Sequence, residues 1–168
     1  MEIANHVFLG DSREVLKTFP ESVVNTTVTS PPYYNLRDYG TENQIGLEDS
    51  LEEYIEQLCL VFDEVYRVTK DDGTFWLNIG DCYARGGQIN SDGRRGFSGA
   101  KGLGYREKKV DGLTDKDLIG VPWRLAFELQ KRGWILRSDI IWAKLNPMPE
   151  SVKDRPTRSH EMIFLLTK

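Results

Sequence analysis

The sequence has few of the residues that build metal sites and disulfide frameworks. Its 168 residues include two cysteines, Cys59 and Cys82, and two histidines, His6 and His160. The cysteines lack the spacing of a metal-binding motif, and two isolated thiols indicate a reducing compartment. The histidines are too few and too far apart to predict a metal site.

Long apolar runs and a secretory signal are also missing. No stretch approaches the roughly eighteen apolar residues that a membrane-spanning helix needs. The first residues lack the basic and apolar regions of a signal peptide. With 39% hydrophobic and 29% charged residues, the composition is typical of a globular domain, and the length suffices for one domain with a sizeable core.

Charge is unevenly distributed along the chain. The net charge of −4 argues weakly against binding to nucleic acid, but the signs are segregated. Residues 38–72 are strongly acidic, residues 85–109 are basic, and residues 137–158 are rich in arginine and lysine. This pattern is compatible with a local basic face and equally with an ordinary solvated surface.

Alternating β and α patterns predict an α/β fold with a mostly parallel sheet between helices. β-branched or apolar runs predict five strands, at His6–Asp11, Val23–Thr29, Thr74–Gly80, Trp134–Lys144 and Glu161–Thr167. Helical spacing of apolar residues predicts helices at Ser12–Phe19, Leu51–Val68 and Asp117–Gly133. The second helix starts with a Ser-x-x-Glu capping box, Ser50 to Glu53.

A segment rich in glycine and arginine, residues 82–116, interrupts this pattern. It has no hydrophobic periodicity, and it is long for a structureless loop in a compact domain. We therefore interpret it as a functional insertion in a single domain that covers residues 1–168.

The tetrapeptide Ser30-Pro31-Pro32-Tyr33, here named the proline corner, directly follows a predicted strand. Ligands of α/β sheets bind at the carboxyl ends of strands. Two prolines fix φ and remove two N–H donors, which leaves preset carbonyl acceptors. The Ser30 hydroxyl adds an acceptor and Tyr33 a flat face. This set suits a planar ring with an exocyclic amine, such as cytosine or adenine.

Two other interpretations of the proline corner remain open from the residues alone. It can be a rigid structural turn without a ligand. It also fits the Pro-Pro-x-Tyr pattern that aromatic grooves of partner proteins bind, although that mode needs an exposed, flexible peptide.

The order of several segments resembles a known family. "GDS", "TSPPYYNLRDYG" and "FWLNIGD" are followed by "VPWRLAFELQKRGWILRSDIIWAKLNPMPESVKDRPTRSHEMIFLL". This order resembles the permuted, or β-class, DNA amino-methyltransferases of bacteria and phages, in which the catalytic motif precedes the cofactor-binding motif. The resemblance implies a Rossmann-like sheet with flanking helices, S-adenosyl-L-methionine as cofactor, double-stranded DNA as partner, a restriction-modification setting and a cytoplasmic location.

The resemblance also implies roles for single residues. Ser30 and the Pro31 carbonyl would accept hydrogen bonds from the target amine, within a corner stiffened by Pro32, and Tyr33 would stack on the base. Asp11 matches the acidic position that contacts the adenosine part of the cofactor. Ser30 and Pro31 would also lie next to the cofactor. Ser-Pro-Pro-Tyr versions usually accompany methylation of cytosine N4, so that product is expected, with adenine N6 as the alternative.

The implied reaction is direct attack of the amine nitrogen on a methyl group, with no covalent enzyme intermediate. The target base must leave the helix stack, so basic side chains must bind phosphate. The residues that we expect to do so are Arg94, Arg95, Lys101, Lys153, Arg155 and Arg158. For each of them, a plain surface charge is the competing interpretation.

The glycine-rich cofactor loop of the family is not found downstream. We therefore expect an incomplete sheet, in which His6–Asp11 lacks a neighbour and Val23–Thr29 forms an exposed edge. We also expect the chain alone to be inactive or very weak. Three explanations stay open: a truncated chain, half of a split enzyme completed by a second polypeptide, and a degenerate, catalytically inactive DNA-binding fragment.

Overall fold

One four-stranded sheet with helices packed on one face forms the described part of the chain. The structure, a computed structural model, describes residues 4–84, 110–147 and 149–168. In chain order, the elements are α1 (Ser12–Val15), a 3-10 turn (Leu16–Thr18), β1 (Val24–Thr29), α2 (Leu51–Val68), β2 (Thr69–Ile79), α3 (Val121–Lys131), β3 (Ile135–Ala143) and β4 (His160–Thr167). The predicted α/β class is confirmed. None of the helices within the described ranges is long and apolar enough to cross a membrane.

The strand order is β1-β2-β4-β3. β1 pairs with β2 in parallel, whereas β4 pairs antiparallel with both β2 and β3. Three strands therefore run in one direction, and β4 is inserted between two of them in reverse. The prediction of mostly parallel pairing is wrong for these strands. The described residues between β3 and β4 contain no crossover helix, so the chain returns antiparallel beside β3.

α2 has the predicted bounds, and its start is a complete capping box. The Ser50 hydroxyl accepts from the Glu53 N–H at 3.1 Å, and the Glu53 carboxylate accepts from the Ser50 N–H at 3.3 Å. Tyr54, Leu58 and Phe62 lie on the buried stripe of this helix. The hydrophobic spacing and the cap thus locate the helix without tertiary information.

The sheet buries one face under α2 and α3. Phe75 and Leu77 of β2 and Phe164 of β4 are fully buried. Phe75 contacts Phe62 of α2, with ring centroids 4.9 Å apart, and Phe164 contacts Trp123 of α3 at 5.1 Å. On the opposite face, residues such as Trp76 and Leu165 stay partly exposed. No described helix covers that face, so the expected sandwich is one-sided within these ranges.

β1 lies at the edge of the sheet, and its Val28 side chain is 77% exposed. The predicted strand at His6–Asp11 does not form, and Val7 and Leu9 are fully exposed. An extended segment without a neighbour cannot pair its backbone groups, so it is not a strand. The expectation of an unpaired first segment and an exposed second strand is confirmed.

α3 begins at Val121, four residues later than predicted. Asp81, just after β2, accepts hydrogen bonds from the backbone N–H groups of Gly120 and Val121 at 2.9 and 3.0 Å. Gly120 has φ +76°, a left-handed conformation that suits glycine. A side chain 39 residues earlier therefore binds the start of this helix, and Pro122 in the first turn is a local signal for the same start.

Replacing Ser50 by alanine should lower the free energy of unfolding by about 1 kcal/mol, because the first turn of α2 loses its side-chain cap. Urea unfolding followed by circular dichroism measures the change. The exposed Ser151 is the matched control, and Ser151→Ala should leave the midpoint unchanged. Equal midpoints for Ser50→Ala and wild type would show that the cap contributes nothing.

Candidate active site

The proline corner lines an open cleft of about 310 Å³ at the carboxyl end of β1. Ser30 is exposed and Tyr33 is half-buried, so both are accessible from the cleft. The structure thus brings the four predicted catalytic residues together at one cavity. The full lining consists of Ser30, Pro31, Pro32, Tyr33, Leu36, Arg37 and Tyr39.

The Tyr33 ring packs directly on Gly80, which follows β2. A Cβ atom at position 80 would lie 2.6 Å from Cε2 and 3.0 Å from Cδ2 of the Tyr33 ring. Real side chains do not approach so closely, so only glycine permits this contact. Gly80 therefore determines how deeply the ring sits against the end of the sheet.

The Tyr33 hydroxyl contacts residues from three strand ends. It lies 3.3 Å from the Ser30 Oγ, 3.2 Å from the Asn78 Oδ1 and 3.1 Å from the Glu161 Oε2. Burial raises the pKa of Tyr33, and the nearby Glu161 charge acts in the same direction, while the Ser30 hydrogen bond opposes them. Asn78 is oriented by its own amide, which donates to the Met162 carbonyl at 3.2 Å.

Glu161, on β4, is the acidic group of this cluster. It forms an ion pair with Lys144, which follows β3. Burial alone would raise the pKa of Glu161, but hydrogen bonds from Lys144, Asn78 and Tyr33 outweigh it, and the pKa lies below its ordinary value. Glu161 is therefore ionised near neutral pH and accepts hydrogen bonds without donating any.

The backbone carbonyls of the proline corner are not equivalent. The Pro32 carbonyl accepts from the buried Tyr54 hydroxyl at 2.8 Å, and the Tyr33 carbonyl accepts from the Leu36 N–H at 3.2 Å. In the part of the chain that the structure describes, no group donates to the Pro31 carbonyl. The acceptor that the sequence singled out is thus the one without an internal partner there.

Asp11 caps α1 and does not line the cleft. Its Oδ1 accepts from the Arg13 N–H at 2.9 Å, and the Arg13 guanidinium also donates to the carboxylate. The Arg13 side-chain hydrogen bond lowers the pKa of Asp11. The side chain remains 41% exposed, which leaves part of the carboxylate open to another donor.

The six predicted DNA-binding cations fall into separate groups. Arg94, Arg95 and Lys101 lie outside the described residues. Arg155 donates to Glu150 at 2.6 Å, and its guanidinium stacks 3.8 Å from the Tyr83 ring centroid.

Arg158 and Lys153 complete the set. Arg158 lies 3.7 Å from the Asp81 carboxylate, so it forms an ion pair within the protein, as Arg155 does with Glu150. Lys153 is exposed and has no ion pair with any described residue. Of the three described cations, only Lys153 therefore extends into solvent unengaged.

Sequence reasoning missed several residues of the site. Arg37 and Tyr39 belong to "YYNLRDYG", directly after the proline corner, and that position was an available signal. Asn78 lies in the last residues of β2 and Gly80 directly follows this strand, much as the corner follows β1. Glu161 had no local signal, because 128 residues separate it from Tyr33.

Residues 24–168 match the profile of a family described as "DNA methylase". The chain belongs to this DNA methylase family. It is 54% identical over 162 residues to the Type II methyltransferase M.SmaI of Serratia marcescens, covering 96% of this chain and 55% of that protein. It is 52% identical over 168 residues to M.Cfr9I of Citrobacter freundii, with coverages of 96% and 54%.

Solved structures agree with this membership. TTHA0409 of Thermus thermophilus, solved in complex with S-adenosyl-L-methionine, superposes with a TM-score of 0.61 and 26% identity, over 95% of this chain and 54% of that one. The cytosine-N4-specific PvuII DNA methyltransferase shares the fold, with a TM-score of 0.64, 21% identity and coverages of 95% and 48%. The chain spans about half the length of the curated relatives that it matches.

Replacing Gly80 by alanine should displace the Tyr33 ring and lower the free energy of unfolding by about 1–3 kcal/mol, as overpacking does. Urea unfolding measures the loss. In a Tyr33→Ala background, the same substitution should cost much less, because the ring it would contact is gone. A loss that is equal in both backgrounds would show that the ring and Gly80 do not touch.

Proposed function

We propose that the chain forms the target-base side of the active site of an S-adenosyl-L-methionine-dependent DNA methyltransferase that modifies cytosine N4. The observation that carries this proposal is the cleft at the proline corner. There an aromatic ring held by its hydroxyl lies beside two acceptors, the Ser30 hydroxyl and the Pro31 carbonyl, to which no described group donates. Family membership supplies the reaction class.

The geometry suits activation of an exocyclic amine. Such a nitrogen is a poor nucleophile, because its lone pair is conjugated with the ring. When Ser30 and the Pro31 carbonyl accept its two N–H bonds, the nitrogen is drawn toward sp³ geometry and its lone pair becomes available. Tyr33 stacks on the base and holds it in place. Positioning of this kind can supply up to roughly 7–11 kcal/mol of a barrier.

The cofactor assignment follows from the family and from the SAM-bound relative TTHA0409. When bound, S-adenosyl-L-methionine would supply an electrophilic methyl group. Asp11, Ser30 and Pro31 are the residues proposed to adjoin it. The partly exposed Asp11 carboxylate, held in one orientation by Arg13, suits a hydroxyl donor such as ribose.

Serine at the first position of the proline corner favours cytosine N4 as the target, and adenine N6 is the second candidate. Both bases carry an exocyclic amine on a planar ring, and the acceptors named above serve either. The fold shared with the cytosine-N4-specific PvuII enzyme is compatible with the first choice.

The proposed reaction needs more protein than these 168 residues. The relatives are about twice as long, and the edge strand β1 leaves Val28 exposed beside the site. We propose that the part of the relatives' length that this chain does not span completes the pocket, with the chain alone inactive or very weak. The comparisons give no support for a second polypeptide as its source.

Methyl transfer can be tested in a chimera in which this chain replaces the matching region of M.SmaI, a 54% identical relative. We expect label from S-adenosyl-L-methionine in DNA, recovered as N4-methylcytosine after digestion to nucleosides. Ser30→Ala should abolish most of it, because the amine loses an acceptor. N6-methyladenine would replace the cytosine assignment by the adenine one. A folded chimera without transfer would favour the alternative of a catalytically inactive DNA-binding fragment.

DNA contact can be tested through salt dependence. If Lys153 binds a phosphate, Lys153→Gln should weaken DNA binding and reduce the slope of log K against log salt by about 1. Fluorescence anisotropy at several salt concentrations measures both. Lys131→Gln is the control, since Lys131 pairs with Glu128 on α3. An unchanged slope in Lys153→Gln would remove Lys153 from the interface.

A further inference from the structure

The hydroxyl of Tyr33 can donate one proton, and two acceptors compete for it. Asn78 presents its Oδ1 at 3.2 Å and Glu161 its Oε2 at 3.1 Å. The Asn78 NH2 group donates to the Met162 carbonyl and hydrogen-bonds to Glu161, so the Asn78 oxygen is the atom that faces Tyr33. Glu161 is an anion paired with Lys144 and has no proton to offer. The Glu161 carboxylate is the stronger of the two acceptors, because it is charged, and it takes the Tyr33 proton, so none remains for Ser30.

The third contact of the Tyr33 hydroxyl then has a defined direction. The Ser30 Oγ lies 3.3 Å from the Tyr33 oxygen, which can only accept in this arrangement. The Ser30 hydroxyl must therefore donate its single proton toward Tyr33. Its lone pairs then remain available on the side of the cleft that the exposed Ser30 lines.

We propose that Glu161, held by Lys144, is a positioning residue that makes Ser30 a hydrogen-bond acceptor by keeping the Tyr33 proton away from it. This inference rests on the proposed function, because a serine hydroxyl free to donate would serve an amine target poorly. It also gives the Tyr33 hydroxyl a role beyond that of the stacking ring. The ion pair between Glu161 and Lys144, which determines the direction of these hydrogen bonds, joins β4 to the residue after β3.

The donor and acceptor in each hydrogen bond between Ser30, Tyr33 and Glu161 can be identified without measuring methyl transfer. Tyrosine labelled with ¹³C at Cζ reports ionisation by NMR, and Tyr33→Phe identifies the Tyr33 signal among the seven tyrosines. If Ser30 donates to the Tyr33 oxygen, it stabilises the phenolate, and Ser30→Ala should raise the pKa of Tyr33. If Glu161 accepts from Tyr33, Glu161→Gln should lower that pKa, because a negative neighbour is removed.

Glu128→Gln is the matched control, since Glu128 is paired with Lys131 on α3. It should leave the pKa of Tyr33 unchanged. The titration covers the pH range in which methyl resonances show each variant folded. A lower or unchanged pKa of Tyr33 in Ser30→Ala, or an unchanged one in Glu161→Gln, would overturn the inference.

Steady-state kinetics of the M.SmaI chimera test whether the hydrogen-bonded hydroxyls of Ser30 and Tyr33 contribute to methyl transfer. Tyr33→Phe should lower kcat about fivefold with little change in KM for DNA, as expected for one neutral hydrogen bond. Adding Glu161→Gln should cause no further loss, because Glu161 acts only through the Tyr33 hydroxyl. Additive losses would contradict the inference. Absence of transfer in the parent chimera would count against the proposed function only, since the titration decides the hydroxyl directions separately.

Discussion

The contact between the Tyr33 ring and Gly80 is the constraint on which the cleft depends. It joins the end of β1 to the end of β2 and places the Tyr33 hydroxyl within reach of Asn78 and Glu161. A methyl group at position 80 would prevent this approach. Once the ring is in place, the preceding residues have little freedom, because two prolines fix φ. The Pro32 carbonyl is also hydrogen-bonded by the buried Tyr54. Ser30 and Pro31 are therefore held at the cleft by the fold itself.

The unpaired side of the sheet is the second physical feature of this chain. Val28 at the edge, and Trp76 and Leu165 on the open face, remain in contact with water. Apolar surface of this kind is costly to leave exposed, at about 25 cal/mol per Å². A site built at the carboxyl end of such an edge strand is accessible from the uncovered side. The chain spans about half the length of its relatives, which agrees with this uncovered side. We therefore propose the whole reaction only for a protein that includes the rest of that length.

Charge was the weakest guide to the site. Arg155 and Arg158 stand in an arginine- and lysine-rich stretch, yet the fold uses both internally, one stacked on Tyr83 and one near Asp81. Asp81 also binds the first N–H groups of α3. These contacts hold the segment before β4 against the base of the insertion, where Ala84 pairs with the backbone of residues 116 and 117. Counting cations along a sequence cannot tell which of them are free.

The sequence by itself determined the helix Leu51–Val68 with its cap, the α/β class, and the position of the proline corner at a strand end. Each of these depends on residues a few positions apart, through helical periodicity, capping or proline geometry. Only the tertiary structure decided that β4 enters the sheet in the reverse direction, that Asp81 binds the first N–H groups of α3, and that Glu161 contacts Tyr33. Hydrophobic patterns tell which side of a strand is buried, but they carry no information about its neighbour. Pairing partners distant in sequence are chosen by packing of the whole core.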